Sequence, residues 1–302
     1  MAIDRATIKI GPCKVSHDGA TQFFPDGGVL AVSKVFVDIE VDAFGVMLRA
    51  HTDTTIEFTG TPKAWTTPAK LNPYASMAMG TLINGAVDKP LVITPINGKP
   101  LTIAAAAVKT PPNLMLSASK PMFGSCTWVG VLANNTAWSA AGARYSFGAD
   151  ASGVALTGLV KADMAFCTWA GVLGGVGFEH EDGIAIDFNV QLDEVPSDSF
   201  GIIDYSFGGI EVSVKYVPIG IGESAHLDAL GIQGGTVARG DSAAVSSLVV
   251  TGSGTRSVTV TGLAQRSAGS RYHRAQKRVG EIELVSNRDH TAGVLNALFT
   301  LV

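Results

Sequence analysis

The chain has 302 residues, 46% hydrophobic and 16% charged, with 35 glycines and a net charge of −4. That composition excludes disorder and coiled coil and favours a β-rich globular protein, while a mean hydropathy of +0.29 leaves apolar surface for subunit contacts. No run of about eighteen apolar residues offers a membrane span. Neither half is basic enough for a nucleic-acid binder: twelve basic residues face ten acidic ones up to Asp150, and ten face sixteen beyond it.

Met1-Ala2-Ile3-Asp4-Arg5 lacks the basic-then-apolar order of a signal peptide, so a cytosolic product is expected. Cys13, Cys126 and Cys167 form no CxxC and no even framework, and read as reduced thiols, with a Cys126–Cys167 bridge left open. Cys126-Thr127-Trp128 recurs as Cys167-Thr168-Trp169, but at different places in the larger repeat described next.

From Val29 to Met47 the chain alternates. Val35, Val37, Ile39 and Val41 fall on one face, expected to pack on the core, with Asp38, Glu40 and Asp42 on the other. Ile56 and Phe58 continue the alternation in a second strand that ends near Pro62. Thr67-Pro68 then predicts a capped helix through Leu71 and Met77 toward Gly80. Two further strands, Leu91 to Thr94 and Leu101 to Ala104, flank Asn97-Gly98, a strong hairpin signal. Ser139 to Val154, rich in small residues, marks the expected boundary between domains 1–148 and 149–302.

The second half says this again. Asp182-Gly183 echoes Asp26-Gly27, Phe200-Gly201 echoes Phe44-Gly45, Pro218 echoes Pro62 and Leu227 echoes Leu71. All four lie at one spacing of about 156 positions, the mark of a repeated structural unit. Ile184, Ile186, Phe188, Val190 and Leu192 alternate with Asp187, Asn189, Gln191 and Asp193, in a phase that predicts a bulge or slip separating the copies. Glu223-Ser224 opens a shorter helix stopped at Gly231, and Gly252-Ser253-Gly254 takes the place of the Asn-Gly turn.

Chemistry-bearing motifs are sparse. Gly174-Gly175-Val176-Gly177 lacks the GK[ST] and the helix of a phosphate loop, and reads as a flexible loop or strand edge. His180-Glu181-Asp182 sits at a turn whose first-half counterpart has neither His nor Glu, which favours a solvated turn over a metal site. No GxSxG context surrounds any serine, so no catalytic, cofactor or metal residue is expected. The one basic run, with Arg271, Arg274, Lys277 and Arg278, reads as an arm meeting an acidic surface on a neighbouring subunit rather than as a nucleic-acid contact.

Asn72-Pro73-Tyr74, then Gly80-Thr81-Leu82-Ile83-Asn84-Gly85 and Asp88-Lys89-Pro90-Leu91-Val92-Ile93, resemble a recurrent stretch of the major tail (tail tube) proteins of bacteriophages. Lys109-Thr110-Pro111-Pro112-Asn113-Leu114-Met115-Leu116-Ser117-Ala118 is similar to a second family segment, with Pro111 in place of a methionine and Asn113 in place of an aspartate. The resemblance implies a mainly β protein: two tandem tail-tube-like β-sandwich or barrel domains, each with one short flanking helix. It also implies a non-enzymatic virion protein, assembled in the host cytoplasm into trimeric, pseudo-hexameric rings. Such rings stack into a tube that touches tape-measure, terminator and baseplate proteins and passes DNA without binding it. Asp38, Glu40, Asp42, Asp187 and Asp193 are the candidate lining of that channel. The alternatives are a β-sandwich host-recognition or carbohydrate-binding protein, or another ring-forming tail component.

Overall fold

A computed structural model describes residues 2–41, 45–71, 73–74, 77–83, 86–131, 145–149, 151–152, 168–197, 201–219, 246–253, 256–267, 271–273, 277–279, 281–286 and 299–301. The protein is mainly β. The first half contributes β1 (Ala2–Ile10), β2 (Cys13–His17), β3 (Ala20–Phe24), β4 (Gly28–Val41), β5 (Gly45–Gly60), β6 (Ala64–Trp65), β7 (Lys89–Pro95), β8 (Asn97–Gly98), β9 (Leu101–Thr110), β10 (Leu114–Leu116), β11 (Cys126–Gly130) and β12 (Tyr145–Phe147). Then come β13 (Ala151–Ser152), β14 (Trp169–Leu173), β15 (Val176–Ser197), β16 (Gly201–Ile219), β17 (Ser246–Gly252), β18 (Ser257–Ser267), β19 (Arg271–His273), β20 (Lys277–Val279), β21 (Ile282–Ser286) and β22 (Phe299–Leu301).

Two large antiparallel sheets carry most of these strands, and their orders match; β8 with β13 and β19 with β20 form two-stranded sheets of their own. The first runs β1-β4-β5-β11-β9-β7-β2-β3-β6; in the second β15, β16, β21, β18, β17 and β14 each pair with the next, and β14 returns to β15 to close a barrel. Strand β15 does alone what β3 and β4 do together, since the turn at Asp26-Gly27 is absorbed into one bulged strand at Asp182-Gly183.

Register matches as well as order. Leu30 faces Phe58 and Val32 faces Ile56, as Ile186 faces Val214 and Phe188 faces Val212. Leu91 faces Ile103 as Leu248 faces Val260, and Trp128 faces Phe58 as Leu284 faces Val214. All of these side chains are buried, in a core cluster that runs through both halves. The bulges repeat too: pairing shifts between Val35 and Phe36 in one hairpin and between Gln191 and Leu192 in the other. The expected slip between the copies is therefore absent, because each copy carries the same bulge at the same place.

Three other expectations change. The predicted first-half helix is only a 3₁₀ turn, Pro68–Leu71, with the Lys70 amide donating to the Thr67 carbonyl. Pro73 accounts for the early stop, since it lacks the N–H that a continuing helix would need. The second-half helix at Glu223 to Gly231 lies outside the described residues. Gly174-Gly175 is a tight hairpin turn with φ of 56° and 84°, matched in the first half by Asp18 at 47° and Gly19 at 74°. Two successive positive φ values make the type I′ turn that suits the twist of paired strands. Finally, Ile39 is 44% exposed. In the uninterrupted strand β4 the core face belongs to Leu30 and Val32, so Ile39 lies on the opposite side; the side chains of Val35, Val37 and Val41 lie outside the described residues.

Candidate assembly surface

The halves are joined by strands of one adding to the sheet of the other. Strand β10 leaves the first half between β9 and β11 and pairs with β15, setting Leu114 against Ile186 and Leu116 against Ile184. In the first half the same place on β4 is taken by β1, with Ile8 against Leu30 and Ile10 against Gly28. The repeated glycine reports this equivalence. At Gly27, with φ of 74°, an added Cβ would collide with the Ile10 carbonyl; at Gly183, with φ of 107°, it would lie 2.9 Å from the Leu116 carbonyl.

A second graft lies beside it. The Gly80 amide donates to the Phe207 carbonyl at 2.8 Å, the Phe207 amide to Thr81 at 2.9 Å, and the Ile83 amide to Tyr205 at 3.0 Å. Thr81 to Ile83 thus extends β16 on the side away from β15, at the bulge. Tyr74, fully buried, stacks on Phe207 and donates its hydroxyl to the Val108 carbonyl. Burial removes water from the Tyr74 phenolate, which pushes its pKa well above the usual range.

The candidate lining residues do not share one face. Asp38 is half-buried on β4 opposite Arg49, and lies on the same side of its strand as Leu30 and Val32; Glu40 pairs in register with Val46. Asp187, half-buried, and Asp193, exposed, lie on the opposite side of β15 from the core residues Ile186 and Phe188. Asp42 and Arg274 lie outside the described residues. Arg271 stands in β19, and Lys277 and Arg278 in β20, which pair as a small hairpin setting Arg271 against Val279. That hairpin is the repeat of β10 and its bridge from Leu114 to Phe123.

Among the described residues no three His, Cys, Asp or Glu converge on a common point for a metal. The His180 imidazole is engaged by the Trp169 carbonyl at 3.1 Å, while Glu181 and Asp182 are exposed. Cys13 and Cys126 are free thiols buried in the core, which raises the first to about 12 and the second well above the usual thiol range. Neither has the electropositive, accessible setting a reactive thiolate needs; Cys167 lies outside the described residues. A cleft of about 280 Å³ beside β1 is lined mainly by apolar residues, Ile8, Ile10, Leu30 and Phe147 among them, with Lys9, Asn97 and Lys99 also lining it. No helix among the described residues is long and apolar enough to cross a membrane.

Comparison with protein-family models returns no match, and a search of curated proteins finds no relative.

Sequence reasoning missed both grafts. The segment around Tyr74 and Gly80 drew attention as a pattern, but nothing local says that its backbone groups find partners in the other half.

Proposed function

We propose that this chain is a structural subunit of a bacteriophage tail tube, built as two tube domains fused in line. One observation carries the reading: two sheets of matching order, register and bulges lie in a single chain, with strands handed from the first to the second. A contact in which one domain extends its neighbour's sheet is directional, and directional contacts build rings or filaments rather than closed pairs. Edge-to-edge addition also removes exposed strand edges that would otherwise aggregate.

In this reading three chains supply six domains to a ring, rings stack, and double-stranded DNA passes through the bore during ejection. Tape-measure, terminator and baseplate proteins meet the ends of the tube. Carboxylates on the hairpins repel phosphate and keep a hydrated gap, where a basic lining would bind DNA through counter-ion release. Electron microscopy of the purified protein in negative stain tests this: rings or hollow tubes are the expected result, and dispersed monomers at high concentration would overturn it.

A further inference from the structure

The two halves treat one sheet position differently. Ile8 stands against Leu30 on β4, and Leu114 stands against Ile186 at the same place on β15. Leu114 is 1% exposed, bridged to Phe123, which is buried with it. Ile8 is 41% exposed, and Phe147, on the same cleft beside β1, is 53% exposed. This apolar cleft has a cationic rim. Lys9 and Lys99 line it, and both are exposed. Among the described residues no Asp or Glu lines the cleft, and neither lysine makes an ion pair.

The second half carries the complement. It holds sixteen acidic residues against ten basic ones, and Glu179, Glu181 and Asp182 are exposed together on β15. Val172, 37% exposed, pairs with Gly177 on the side of β15 that continues to Glu179. An apolar knob thus stands beside a residue without a side chain, with a carboxylate two positions along. We infer that the Ile8–Phe147 cleft of one copy receives this β14–β15 face of another copy. Val172 enters beside Ile8 and Phe147, while Glu179 and Glu181 meet Lys9 and Lys99. Charge selects this occupant, since the basic hairpin β19–β20 would be repelled by the two lysines. Size agrees: about 280 Å³ falls below the roughly 300–1,000 Å³ of small-molecule sites and suits the side chains of a partner. Ile8, Phe147 and Val172 all stay exposed within one chain, so the contact is not made inside it. The two surfaces differ, so the contact is heterologous and propagates from copy to copy. This deepens the tube reading and rests on it for the expectation that the contacts close into a ring.

The test uses the full chain, with light scattering after size exclusion over a range of concentrations to read assembly. Lys9→Glu with Lys99→Glu should raise the concentration needed for assembly about tenfold or more, as attraction turns to repulsion. Glu179→Lys with Glu181→Lys should do the same. All four changes in one chain should bring assembly back to within about threefold of wild type, because each contact again joins opposite charges. Lys34→Glu with Lys120→Glu, two exposed lysines off the cleft, matches the change in net charge and should leave assembly alone. Unchanged assembly in either pair of reversals, an equal loss in the control, or no recovery in the fourfold variant would overturn the inference and leave the tube reading standing. Wild type that stays monomeric throughout overturns both. Should a charge variant fail to fold, Val172→Ser decides: it keeps every charge, and removing the knob should raise the assembly concentration about threefold or more. No change there would overturn the inference as well.

Discussion

Tyr74 of the first half lies flat on Phe207 of the second, with ring centroids 5.1 Å apart and planes 3° from parallel. Both rings are fully buried, and the backbone of Phe207 is gripped by Gly80 and Thr81 on the same edge. The stack therefore locks a graft whose hydrogen bonds would otherwise be open to water. Tyr74→Ala should cost about 3–5 kcal/mol, the range for losing a large buried aromatic. Urea denaturation should show it together with faster hydrogen exchange at Gly80 and Ile83. A loss confined to global stability, with those amides unchanged, would mean that the stack does not hold the graft.

Gly27 is the second point at which one residue decides the position of a strand. Its positive φ and the Ile10 carbonyl above it leave no room for a side chain. Gly27→Ala should cost about 1–3 kcal/mol and lift the end of β1 from β4. Hydrogen exchange along Ile8 to Ile10 measures that directly, and unchanged protection there would count against the account. Gly183→Ala should act likewise on β10, with the added consequence of loosening one half from the other.

How far the sequence could be read follows from the range of each interaction. The alternating runs around Ile56 and Ile184, the pairing of β7 with β9 and the duplication were legible because strand periodicity is local, whereas Asn97-Gly98 is not a tight turn but the short strand β8, paired with β13. Asp18-Gly19 carried an equally local turn signal that the reading passed over, and Gly174-Gly175 carried one that it misassigned. The expected burial of Ile39 fails for a different reason: alternation says which residues share a side, not which side meets the core. The helix expected beyond Pro68 overlooked Pro73. The grafts of β10 and of Gly80 to Ile83 were invisible because their partners lie far away in sequence, and backbone hydrogen bonds leave no trace in side-chain identity.

His17 stands where the second half has Leu173, buried at 6% exposure with its ring nitrogen on the Ala106 carbonyl at 2.9 Å. Burial lowers its pKa, a larger effect than the opposing pull of the Ala106 carbonyl and the Asp18 charge. A histidine held neutral in the fold binds its proton more readily once unfolded. Stability should then be full above the ordinary histidine value of about 6.5 and fall as pH drops below it, toward the lowered folded value. Urea titrations at several pH values down to about 5.5, where carboxylates still titrate little, should show the decline. His17→Leu should flatten it, and an equal decline in that variant would assign the effect elsewhere.

Gln22 presents a cost the second half avoids. Its side chain is 1% exposed and neither of its polar atoms has a hydrogen-bond partner among the described residues, whereas Phe178 occupies the same place in the other half. Phe178 fits because Gly171 lies opposite, where the first half has Val15. Aromatic replacement at residue 22 would therefore overfill the site, and a side chain of similar volume is the better trial. Gln22→Met should raise stability by about 1 kcal/mol or more by relieving the desolvated amide. A thermal melt that is unchanged or lowered would point to a polar partner for Gln22 in solution.

The carboxylates of the two hairpins should behave as separate groups, because a strand shows alternate residues to opposite sides. Asp187 and Asp193 lie on the side of β15 turned away from its core residues; Asp38 lies on the side of β4 that continues the core face, while the side chain of Glu40 lies outside the described residues. In the proposed tube the channel is bounded by surfaces turned away from the domain cores. Asp187→Asn with Asp193→Asn should then slow genome ejection from assembled particles and flatten its dependence on salt, as the phosphate repulsion that salt screens is lost. Asp38→Asn with Glu40→Gln should leave ejection unchanged and alter only the stability of the first hairpin. If the second pair changes ejection and the first does not, the hairpins face the bore with the opposite side to the one argued here, and the apolar residues of β4 must then be covered from outside the ring.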